Sequence, residues 1–60
     1  MQLTFEAWKK QFVEILINQY EISKKKVKKF PTEVMKDYHN ADVSPENAAV
    51  EESPLLKSNA

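Results

Sequence analysis

An eighteen-residue stretch near the start, Leu3 to Tyr20, reads LTFEAWKKQFVEILINQY and holds the only tryptophan and two of the three phenylalanines of a sixty-residue chain. Phe5, Trp8, Phe12, Ile15, Leu16 and Tyr20 recur at the three- and four-residue spacings of an α-helix. Val13 and Ile17, four apart, add a second apolar ridge beside that stripe. At 100° per residue the combined apolar arc is roughly 200° wide, about twice that of an ordinary surface helix. Whatever else the chain does, it must cover this helix. Val13, Ile15 and Ile17, at the edges of the arc, are therefore the candidate partner surface.

The rest of the composition also points to helix. The chain has no glycine, which removes Gly-rich phosphate loops, the dinucleotide fingerprint and the tight primed hairpin turns. It has no cysteine, so disulfides and thiolate metal sites are excluded. A chain this short buries only about 60% of the surface its unfolded form exposes, so good helix packing, a partner or self-association must supply stability.

Helix boundaries are written in the capping residues. Thr4 is an N-cap for the first helix, with Leu3 and Trp8 at hydrophobic-staple spacing and Glu6 in the first turn. Ser23 caps a short segment, KKKVKKF, that must stop at Phe30 because a residue before proline avoids the α region. Pro31 suits the first turn of the next helix, with Phe30 or Thr32 as cap. Asn40 is the residue expected to end that helix in the left-handed conformation. Ser44-Pro45-Glu46 is a cap, first-turn proline and early acid in sequence, and Ser53-Pro54 is expected to end this last helix. No strict alternation marks a strand. These signals predict an all-α fold: a small three-helix domain over residues 1–52, with helices at 4–21, 32–40 and 45–52. A short basic turn joins the first two, and residues 53–60 form a loose tail. The expected core is Phe5, Trp8, Phe12, Leu16, Tyr20, Val27, Phe30, Val34, Tyr38 and Ala48.

The pattern Phe5-x-x-Trp8, Tyr20-x-Ile22-Ser23, Pro31, Asp37-Tyr38 and Val43-Ser44-Pro45-x-x-Ala48-Ala49 resembles a group of short uncharacterised helical proteins of bacteria and their phages. The resemblance spans residues 3–52 and rests mostly on caps and core aromatics. It implies a small helical fold and a mobile-element origin, and it transfers no site residues. This chain departs from the pattern in two places. It has lysines at 24–29 where the similar proteins are acidic or neutral, and Asn40-Ala41-Asp42 where they tend to have glycine.

Chemistry-bearing constellations are sparse. Asp37 and His39, two apart, lie on different sides of a helix and cannot support one another. His39 alone cannot build a zinc site, and Glu51-Glu52 reads as a solvated helix end. No nucleophile–base pair is visible, so no catalytic residue, cofactor or metal is expected and the chain is not expected to be an enzyme. No apolar run approaches the roughly 20 residues that span a bilayer. The start carries no basic region followed by an apolar one. Cytoplasmic location without membrane contact is the expectation.

Charge is the remaining signal. Net charge is zero, but residues 1–30 carry seven lysines and three acids (+4), while residues 31–60 carry two lysines and six acids (−4). Lys24, Lys25, Lys26, Lys28 and Lys29 form a candidate basic patch on the outer face of the short segment. Lysines release counterions from phosphates, but the chain has no arginine for bidentate guanine contacts. Six acids spread over helices are too ordinary a feature to read as a nucleic-acid mimic. The leading expectation is a protein-binding module, of the kind a phage or mobile element uses to modulate a host factor. The alternatives are a nucleic-acid-binding accessory protein using the basic patch, and a structural homodimer.

Overall fold

The computed structural model describes residues 3–58, without the side chain of Ser58. Four helices follow in order: α1 (Phe5–Asn18), α2 (Lys24–Lys28), α3 (Thr32–Asn40) and α4 (Pro45–Ser58). No strand occurs among the described residues. α1 is the central element: α4 lies along it most extensively, and α2 and α3 each pack on it as well.

Local chemistry sets the helix starts. The Thr4 hydroxyl accepts from the Ala7 amide at 3.2 Å, that of Ser23 from Lys26 at 3.3 Å, and that of Ser44 from Asn47 at 3.2 Å. Each satisfies one of the first-turn amides that have no intrahelical partner. α3 differs from expectation by one residue. Pro31 is its N-cap, with φ −64° and ψ 129°, and makes no side-chain cap bond. Its fixed φ suits that extended position as well as the first helical turn.

The helix ends depart from the expected positions. Asn40 remains helical, and the left-handed residue is Asp42, at φ 63°. The Asp42 amide donates to the His39 carbonyl and the Val43 amide to the Tyr38 carbonyl, which together make a Schellman motif. At the end of α1, Glu21 takes φ 56° and the Ile22 amide reaches back to the Leu16 carbonyl at 3.0 Å. Two acids thus occupy the conformation that glycine fills at least cost.

The C-terminal segment is not a loose tail as far as Ser58; α4 runs straight through Pro54. The proline removes one amide, the one that would donate to the Val50 carbonyl four residues earlier. Ser53 is buried, and its hydroxyl donates to that same carbonyl at 3.4 Å. Leu56 packs against the core, and Lys26 Nζ donates to the Leu56 carbonyl at 3.1 Å. That carbonyl belongs to the last turn, where a cation is favoured by the helix dipole. The expectation for Asn59 and Ala60 lies outside the described residues.

The core comprises Trp8, Phe12, Leu16, Ile22, Val27, Met35, Ala48 and Ala49. Ile22, Met35 and Ala49 enter it unexpectedly, while Phe5, Tyr20, Phe30 and Tyr38 are half-buried against it and Val34 is half-buried. Trp8 is the hub. Its ring stacks on Phe12 at 5.2 Å and on Tyr38 at 6.4 Å between centroids. Its Nε1 donates to the Val43 carbonyl at 2.7 Å. A buried tryptophan needs such a partner, and here it ties α1 to the loop between α3 and α4.

Candidate functional site: a basic-rimmed apolar groove

The three candidate apolar residues of α1 do not share one surface. All are half-buried. Ile15 faces a shallow depression with Gln11, Asn18 and Glu46, on the α4 side. Val13 and Ile17 line a groove of about 340 Å³ on the opposite side, walled by α1, α2 and the start of α3. Its apolar lining is Val13, Ile17, Val27, Phe30 and Met35. The two-residue offset between Ile15 and its neighbours rotates them by about 200° in total, which sends them to different flanks of the helix.

The basic patch is divided in the same way. Lys24 and Lys28, four apart and on one face of α2, stand at the groove. Lys26 is half-buried rather than outward-pointing, because its ammonium caps α4. Lys29 lines a separate surface hollow with Lys26, Phe30, Pro31 and Leu56, and Lys25 is exposed. Five consecutive-range lysines cannot share one side of a helix that turns 100° per residue.

The groove therefore joins half of the apolar expectation to part of the basic one, and adds Lys9, Thr32 and Met35, which sequence reasoning missed. Lys9 was legible in principle, since Lys9, Val13 and Ile17 form a single ridge at four-residue spacing. Met35 and Thr32 required knowledge of how α3 crosses α1. All three charged residues of the lining are lysines. Phe30 also touches the core, its ring 5.4 Å from that of Phe12, so one wall of the groove is braced from behind.

A second cleft, of about 210 Å³, is lined by Leu3, Trp8, His39, Asp42, Val43, Ser44 and Pro45. It brings together His39, Asp42 and Ser44, which are also close along the chain. Each residue has a structural task. The Ser44 hydroxyl caps α4, Asp42 turns the chain at φ 63°, and His39 Nε2 is bonded to the Leu3 carbonyl at 2.6 Å. The His39 ring also packs edge-on against Phe5 and Trp8. Among the described residues no group of three or more His, Cys, Asp or Glu side chains is arranged to hold a metal ion.

One titration is displaced. Tyr38 donates its phenolic hydrogen to a Glu52 carboxylate oxygen at 2.5 Å, and its pKa is pushed up to about 12. The hydrogen bond to Glu52 is the main cause, followed by burial and the negative charges of Glu52 and Glu51. The pair clips α3 to α4, and neither residue lines the groove.

Among the described residues no helix is long and apolar enough to cross a membrane. Comparison of the chain with family models, with curated proteins and with solved structures returns no match.

Proposed function

We propose that the protein is a small non-enzymatic binding module that docks another protein through the groove between α1 and α2. The observation supporting this is the groove's composition: five apolar residues beside three lysines and no carboxylate. Hydrophobic floor supplies affinity, while like-signed charge at the rim steers encounter and rejects partners of the same sign. The resemblance to short proteins of bacteria and their phages supports reading the module as a modulator of a cytoplasmic host factor, acting by occupying its surface.

The test is a photo-crosslinking amino acid placed at Thr32, which is exposed at the groove, with a control at exposed Asn47 on α4. In the producing cell the groove position is expected to yield a discrete protein adduct and the control none. An adduct with the mass of two chains would favour the homodimer instead. A nucleic-acid adduct, with affinity for random duplex DNA that falls steeply with salt, would favour the accessory-protein reading. The absence of any adduct would sink the docking reading.

A further inference from the structure

We infer that the occupant of this groove is a short, acidic, amphipathic helix of a partner protein. The inference rests on the docking reading above and adds the partner's chemistry. Lys9, Val13 and Ile17 form one wall, a ridge of α1 about 12 Å long at 1.5 Å per residue. Lys24 and Lys28 stand along the other wall on α2. A wall of that length matches about two turns of a partner helix, enough for apolar anchors at one position and again three or four and seven residues later.

The lining dictates the occupant's backbone. Its apolar side chains offer nothing for hydrogen bonding, and Thr32 is the one neutral polar residue among them. No sheet edge exists among the described residues to receive an extended strand. A segment laid here must satisfy its own amides and carbonyls, or bury them unpaired at a cost of several kcal/mol. A helix does so internally. The rim dictates its edges. Lysine ammonium groups are donors only, so three of them around the groove call for acceptors, and carboxylates make the stronger, charge-assisted bonds. Lys24 and Lys28, four residues apart, oppose a pair of acids at the same helical spacing. The alternatives fit less well. A concave apolar floor between two helices is a poor match to a flat lipid surface. Bases prefer aromatic platforms, and Phe30, the one ring in the lining, is already packed on Phe12.

The experiment titrates the isotope-labelled intact chain with designed helical peptides, following its backbone and methyl NMR shifts. The first peptide carries leucines at the anchor spacings and glutamates at both edges. The second replaces every glutamate with lysine. The third is the acidic peptide broken by a central proline. Only the acidic helix is expected to bind, shifting Val13, Ile17 and Val27. Lys24→Glu/Lys28→Glu is expected to weaken it about tenfold, as two attractive pairs become repulsive, and to bind the lysine peptide instead. Should reversal on the five-residue α2 impair folding, Lys9→Glu on α1 carries the test, with about threefold weakening expected for one pair.

Equal binding of the lysine or proline-broken peptide would overturn the inference. So would anionic vesicles or duplex DNA moving the Val13 and Ile17 signals when the acidic helix does not. If no peptide binds while the Thr32 adduct persists, the acidic-helix partner falls and the docking reading stands. If the adduct is missing too, both fall.

Discussion

The two flanks of α1 are finished differently. Toward α4 and the α3–α4 loop, Trp8 and Leu16 are sealed. Ala48 and Ala49 are fully buried against them, the indole is hydrogen-bonded to the Val43 carbonyl, and Tyr38 and Glu52 bind α3 to α4. Toward α2, Val13 and Ile17 remain half-exposed in a groove with lysines at its edge. The physical difference lies in the covering helix. α4 has fourteen residues and presents small side chains that let it approach closely. α2 has five residues, of which only Val27 is buried. A single turn cannot cover a ridge about 12 Å long. Small covering residues on a long helix close a core, whereas a short, lysine-rich helix leaves apolar surface at its margin.

The largest test of the sealed flank is Trp8→Ala. It removes the stacked hub and leaves the Val43 carbonyl without its donor, at a cost of roughly 3–5 kcal/mol. In a domain this small that abolishes the cooperative thermal transition seen by circular dichroism. A variant melting like the parent would refute α1 as the organising helix.

Adjacent residues offer a direct contrast. Leu16 is fully buried and Ile17 lies in the groove. Leu16→Ala is expected to cost about 2–5 kcal/mol by urea denaturation, and Ile17→Ala only about 1 kcal/mol, because less of its surface leaves water on folding. Equal losses would mean the groove is as closed as the core. Ala49→Leu adds volume where α4 is fully buried, for a loss of about 1–3 kcal/mol from overpacking.

Tyr38→Phe is milder, about 1 kcal/mol at neutral pH for a half-buried hydrogen bond to a carboxylate. It also has a pH signature. The folded state holds the neutral phenol, so its pKa rises from 10.0 to about 12. The stabilisation is complete below pH 10 and is lost as pH rises from there toward about 12. Urea midpoints of the parent should fall faster than those of Tyr38→Phe across that interval. Parallel curves would show that the clip contributes nothing.

The smallest effect is a gain. Glu21, at φ 56°, links the end of α1 to the helix that flanks the groove. Glu21→Gly should stabilise by about 0.5 kcal/mol, relief of the left-handed strain being offset in part by a more flexible unfolded chain. A loss would mean the glutamate side chain has a stabilising contact that outweighs its backbone strain.

What the chain shows in one dimension is whatever acts within about one helical turn. The caps at Thr4, Ser23 and Ser44 are bonds spanning three residues, so the helix starts, the all-α class and the dominance of α1 are readable directly. Interactions across the fold are not. Pro54 reads as a stop, yet α4 continues, its final turn held by Lys26, thirty residues away, on the Leu56 carbonyl and by Leu56 against the core. Asn40 reads as the left-handed end, yet Asp42 takes that place, beside a Val43 carbonyl held by Trp8, thirty-five residues earlier. The groove follows the same rule. Its ridge on α1 is periodic and legible, but its pairing with Lys24, Lys28 and Met35 is set by where α2 and α3 land on that helix, which packing decides.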